Sequence, residues 1–405
     1  MQHFFRRYLE FLRQPDVATL MGVALFARMP IGMVGFAMLM FLREHLGSFT
    51  LAGSASGIFF LSMAIAAPVQ GRLIDRIGPR LPLIVTGIVQ PLALASVIAV
   101  ALAGFSFAYV ALATAVAGAF AQPITVITRT IWRHRFERDD DRRTAFSLDA
   151  VLIELNFTVG PALTAAILAA FGSTAAFGLA IAVVIASSLI FQFSPALRYF
   201  RREPPAERHL LGPLTEPRLW LLFVTTFGLT TSFGLLEVGY PGYGTLLAMP
   251  ALAGVLLAVN ALGSATGGAI FGGLHLTWPM ERQYAVAVGL MALPLFLHVL
   301  VADHPVLFGV VAFIAGMMIA PSIASQSVLV SRLAPAKYAT EAFTWSSTFI
   351  VCGLGAGMAL GGVLIETYGI RTAFACAGAI VLAMSLLAFL LPVAASGQPA
   401  PRGAD

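Results

Sequence analysis

The sequence predicts an all-α membrane protein built as two pseudo-symmetric bundles of six transmembrane helices. Three observations carry that prediction. The 405-residue chain is 59% hydrophobic and only 11% charged, with a mean hydropathy of +0.89, whereas a soluble domain carries about 25% charged residues. Such a chain has too few polar side chains to cover itself in water. Apolar runs of the roughly 20 residues that a span needs recur about twelve times. Short patterns in the first half return in the second at nearly one offset.

Taken in order, residues 1–16 are amphipathic, with Phe4, Phe5, Tyr8, Phe11 and Leu12 set against Arg6, Arg7 and Arg13. They read as a helix lying on the inner membrane surface rather than as a cleavable signal peptide. Spans follow near 17–42, 49–72, 81–104, 107–132, 144–171 and 174–197, giving a first bundle over 17–197. The charged, proline-rich stretch 198–217 is the linker between bundles. Spans near 219–245, 248–273, 282–302, 305–331, 340–366 and 370–393 make the second bundle, 218–393, and 394–405 is a tail.

The formal charge of +5 comes from arginines between the apolar runs, so it reads as an orientation signal and not as a nucleic-acid surface. With both termini in the cytoplasm, only Arg43 and Arg371 fall outside and only Arg28 and Arg129 lie within spans; every other Lys or Arg is cytoplasmic. That asymmetry puts both termini in the cytoplasm. The tyrosines, Tyr109, Tyr240, Tyr243, Tyr284 and Tyr368 among them, cluster near span ends like an aromatic belt. Cys352 and Cys376 stand alone in apolar runs, so no disulfide framework or metal site is expected. The single lysine, Lys337, lies in no phosphate-binding loop. No cofactor and no catalytic pair is indicated, so the chain is not read as an enzyme.

The repeat is specific in aggregate. Leu51-Ala52-Gly53 returns as Leu252-Ala253-Gly254, Ala117-Gly118 with Pro123 as Ala315-Gly316 with Pro321, and Ala145-Phe146-Ser147 as Ala342-Phe343-Thr344; Gly160 and Gly172 return as Gly357 and Gly369. The offsets run from 197 to 201. The first and seventh spans show no convincing match. Two parallel halves of this kind are a transporter architecture with a site near mid-membrane between them.

Between the second and third spans lies Gly71-Arg72-Leu73-Ile74-Asp75-Arg76-Ile77-Gly78-Pro79-Arg80. The pattern G-x-L-x-D-R-x-G-x-R resembles the loop signature of the major facilitator superfamily, and length, spans, repeat and linker resemble its bacterial transporters over nearly the whole chain. The resemblance implies alternating access. It also implies a cytoplasmic gate in which Asp75 meets the positive N-terminus of the eleventh helix near residues 339–343, with Gly71, Arg76, Gly78 and Arg80 completing the motif. A carboxylate in that position contributes about 0.3–1 kcal/mol, a contact weak enough to break in a cycle. The sequence departs from the family at Leu276, where the second half lacks the acid, and in having only Gly160-Pro161 of the antiporter signature on the fifth helix.

Charges inside spans are rare and mark candidate substrate or proton sites. Arg28 and Glu154 lie at similar depth on the first and fifth helices, and pair on that count. Asp149 and Asn156 extend the polar segment, and Arg129 is level with Asp149 nearer the cytoplasm. Glu237, in the outer part of the seventh helix, has no arginine level with it; an acid so placed is costly to keep ionised and is a proton-coupling candidate. Pro123 and Pro321 are expected to bend cavity-lining helices, and Gln122 and Gln326 to bridge helices or meet a ligand. Together these predict a monomeric secondary transporter in the lipid bilayer that moves a small-molecule substrate, most directly by proton-coupled efflux. Uptake or facilitated exchange of a small metabolite, with Arg28 or Arg129 binding a carboxylate, is the rival, and a non-transporting membrane sensor a more distant one.

Overall fold

A computed structural model describes residues 11–136, 139–200, 212–274, 276–335 and 339–392. Most of the predicted amphipathic N-terminal segment, the central linker and the C-terminal tail fall on residues 1–10, 201–211 and 393–405, outside the described residues. The first half comprises α1 (Val17–Leu46), α2 (Phe49–Ile77), α3 (Arg80–Leu102), α4 (Phe107–Ala119), α5 (Ile124–Arg135) and α6 (Asp139–Gln192). The second comprises α7 (Pro217–Leu246), α8 (Pro250–Gly273), α9 (Met280–Leu300), α10 (Pro305–Gly316), α11 (Ile319–Leu333), α12 (Ala339–Tyr368) and α13 (Ile370–Ala388). Among the described residues there is no strand.

Among the described residues, eleven stretches are long and apolar enough to cross a membrane. One of them belongs to α6, whose 54 residues would run about 80 Å at 1.5 Å per residue, far beyond a hydrocarbon core of about 30 Å. The helix breaks at Gly172, at φ 85° and ψ 175°, a conformation essentially confined to glycine. Before the break, Asp149 and Gly160 lie against Arg28 and Gly32 of α1. After it, Phe177 lies 5.4 Å, ring to ring, from Phe41 near the end of α1, and Phe191 joins the cluster containing Leu20 near its start. The chain therefore doubles back at Gly172, and counting the two arms separately gives twelve segments. Gly369, at φ 85° and ψ 169°, makes the same turn between α12 and α13.

The repeat extends into packing. A methyl group on Gly118 would lie 2.1 Å from the Phe59 carbonyl oxygen, and one on Gly316 would lie 2.0 Å from that of Asn260. Phe59 and Asn260 are themselves 201 positions apart, the offset of the second and eighth spans. The match missing from the sequence also surfaces here. Gly32 of α1 crosses Gly160 of α6, and Gly234 of α7 crosses Gly357 of α12, each too closely for a side chain.

The molecule has two faces, the Gly172 face, which also holds Gly369, and the motif face, which holds residues 71–80. Towards the Gly172 face the halves are in contact. There α2 packs on α12 through Gly53, Gly57, Gly355 and Gly362, and α6 packs on α8 where Gly254 meets Pro161 and Ala165. The apolar clusters agree: Phe36, Met40 and Leu168 join the second half's cluster, while Val238 and Met358 join the first half's. Near the motif face a separate cluster around Trp132 and Leu20 draws on the first half alone. Phe11 belongs to it, 5.0 Å from the Phe136 ring.

Two expectations change. Tyr109 and Tyr368 are exposed at span ends, but Tyr240, Tyr243 and Tyr284 are fully buried and belong to no lipid-facing belt. The rings of Tyr243 and Phe308 stack at 3.8 Å, and His298 stacks on Phe374 at 4.5 Å. In addition, the stretches around Pro123 and Pro321 are not merely bent. The helix stops at Ala119 and restarts at Ile124, and stops at Gly316 and restarts at Ile319.

Candidate functional site

Arg28 lies three turns into α1 and is fully buried. One turn further on, Gly32 lets α6 approach so closely that a methyl group there would sit 2.2 Å from the Asn156 carbonyl oxygen. Asp149, Asn156 and Gly160 are spaced by seven and four residues, which sets them on one stripe of α6, and the close crossing turns that stripe onto α1. The Arg28 guanidinium donates through Nη1 to Asp149 Oδ1 at 2.5 Å, and the Trp132 indole Nε1–H donates to the same oxygen at 2.9 Å. Arg129 Nε lies 3.8 Å from Asp149 Oδ2. The Asn156 amide donates to the Leu25 carbonyl at 3.2 Å. One buried carboxylate thus sits between two arginines, and Arg28 Nε and Nη2 have no partner among the described residues.

Among the described side chains Arg28 pairs with Asp149, while the expected Arg28–Glu154 pair falls on a side chain that is not described. Counting residues along each helix finds depth but not direction. Positions 149 and 154 are five residues apart, about 140° around a helix, and the Gly32–Gly160 crossing selects the stripe with Asp149. Arg129 and Asp149 do meet, as their matched depth predicts. Trp132 was not anticipated. Its signal is its place one turn beyond Arg129 on the same helix, since a buried indole needs an acceptor.

The second half repeats the arrangement without charge. Gln326 donates to Ser346 Oγ at 2.7 Å between α11 and α12, and Ser346 stands 197 positions after Asp149. Gln326 is therefore an interhelical contact. Gln122, in the break before Pro123, lines a cavity of about 100 Å³ together with Pro30, Phe59, Gln90 and Ser187. Glu237 on α7 is half-buried and makes no hydrogen bond or ion pair with a described residue.

In the 71–80 motif, Asp75 lies half-buried in the last turns of α2, Gly78 makes the turn at φ 89°, and Arg80 opens α3. Arg76 and Arg80 are exposed. Gly71 has open space where a side chain would go. Of residues 339–343, near which Asp75 is expected to close, the side chains of 339 and 340 lie outside the described residues.

A family model described as Major Facilitator Superfamily matches residues 20–350 and 282–405. The chain belongs to the major facilitator superfamily. The structure of a variant of the nucleoside transporter NupG shares its fold, with a TM-score of 0.71 at 14% identity over 92% of this chain and 98% of that one. No curated protein sequence matches. Family and fold make this a multi-pass membrane protein and a secondary transporter of small molecules.

Proposed function

We propose that this superfamily member exports a small organic molecule in exchange for protons by alternating access, as a monomer in the bacterial inner membrane with both termini cytoplasmic. The observation that supports this most is the Arg28–Asp149–Arg129 cluster. Charges inside spans are costly and mark substrate or proton paths. When Asp149 is ionised, the cluster carries one net positive charge. The Arg28–Asp149 ion pair ties α1 to α6, so any step that displaces one partner loosens that tie. Glu237 is the second carboxylate of the coupling set. The export direction rests on the partial Gly160-Pro161 signature.

Uptake or exchange of an organic anion is the second reading. Arg129, 55% exposed beside an Asp149 that is 2% exposed, presents a cation at the bundle's surface.

Proteoliposomes with an imposed pH gradient test the proposal. Chemically varied ligands should drive proton movement with the unaltered protein, and Asp149→Asn or Glu237→Gln should uncouple ligand flux from proton flux. Ligand flux with no proton movement in any variant overturns the coupling. Ligand-dependent proton movement that favours uptake of carboxylates supports the second reading.

A further inference from the structure

Helix α2 starts at Phe49 behind the N-cap Ser48, whose Oγ accepts from the Leu51 backbone N–H at 3.1 Å. In a self-contained capping box, a Glu or Gln three residues after the cap would complete the helix end. Here that position is Leu51, and the chain supplies no acid within the first turn. The carboxylate comes from the other half. Glu366, in the last turn of α12, accepts from the Ser48 hydroxyl at 2.5 Å and from the Thr50 backbone N–H at 2.6 Å, both at Oε2. The Thr50 hydroxyl lies 3.5 Å from the Gly362 carbonyl one turn back. Next to this cap the two helices come within backbone contact, where a methyl group on Gly362 would lie 2.2 Å from the Phe49 carbonyl oxygen.

We propose that Glu366 is a latch residue of the transport cycle, capping α2 in trans and holding the two halves together at the Gly172 face. The inference rests on the alternating-access reading above. Any motion that parts the halves at this face must withdraw the carboxylate from the α2 N-terminus and leave the Thr50 N–H to water. The contact is charge-assisted and favoured by the helix dipole, yet it is solvent-exposed. It therefore biases closure without locking it. The chemistry matches what the family resemblance expects of Asp75 at the opposite face, with the roles of the same two helices exchanged: α12 lends the acid and α2 the helix end.

Double electron–electron resonance on the full chain tests this. With Cys352 and Cys376 replaced by serine, spin labels at Leu102→Cys and Leu300→Cys report on the Gly172 face, and labels at Leu81→Cys and Arg332→Cys report on the motif face. Glu366→Ala should raise the ratio of long to short distances at the Gly172 face about five-fold, the shift that follows from losing about 1 kcal/mol of contact, and shorten distances at the motif face. Ser48→Ala, which keeps the acid but removes one donor, should give a smaller shift in the same direction. Unchanged distributions at both faces in Glu366→Ala overturn the latch. Glu366 is exposed, so monodisperse protein is expected from every variant. The distances are read without ligand or pH gradient, so a failure of the transport proposal does not affect them.

Discussion

Asp149 shows how much a single residue is asked to do. It accepts from Arg28 and Trp132, faces Arg129, and is 2% exposed. Removing one partner of a buried pair leaves the other charge uncompensated, at a cost of about 3–5 kcal/mol, whereas replacing both by apolar groups can be nearly neutral. Asp149→Leu should therefore lower the unfolding free energy by about 3–5 kcal/mol, and the double variant Arg28→Met/Asp149→Leu should recover most of the loss. Denaturant unfolding in detergent reads both. Additive losses would mean that Trp132 and Arg129, not Arg28, are the partners that matter. The sequence put Arg28, Asp149 and Arg129 in one region because charges in apolar runs are conspicuous. It could not choose between Asp149 and Glu154, since that choice depends on which face of α6 the Gly32 crossing presents. The tyrosines failed for a related reason: nearness to a span end does not distinguish lipid from a neighbouring helix.

At the scale of elements, glycines decide which helices touch. Gly160 of α6 would place a methyl group 2.8 Å from the Gly32 carbonyl carbon, while Gly22, also in α1, has nothing within 4 Å. Overpacking costs typically about 1–3 kcal/mol, so Gly160→Val should destabilise the first bundle by at least that much. Gly22→Ala should be neutral or stabilise by about 0.5–1 kcal/mol through helix propensity. Thermal unfolding of the two variants side by side checks the contrast, and equal losses would refute the assignment of the crossing. The apolar spans and their order were legible because a span has a minimum apolar length. The breaks at 120–123 and 317–318 were read only as bends, since a proline marks a weak point without saying whether the helix resumes at once. The relation of α1 to α7 was hidden because its visible trace is a single glycine in each, Gly32 and Gly234, at a 202-residue offset in a chain with 38 glycines.

For the whole molecule the question is which contacts hold each half together and which join the halves. The α1–α6 crossing lies inside one bundle. The α2–α12 contact lies between bundles, and a methyl group on Gly53 would sit 2.5 Å from the Met358 carbonyl oxygen of the other half. If alternating access parts the halves at the Gly172 face, a side chain on Gly53 penalises only the state in which that face is closed. Gly53→Val should then leave thermal stability within about 1 kcal/mol of the unaltered protein, because the halves can part without unfolding. It should also slow transport markedly, because one half of the cycle becomes costly. Thiol-labelling rates at a cysteine introduced beside Gly362 should rise, reporting the opened face. A Gly53→Val protein that unfolds as readily as Gly160→Val would show that α2 and α12 form part of a permanent core, and the moving seam would then have to lie elsewhere between the halves.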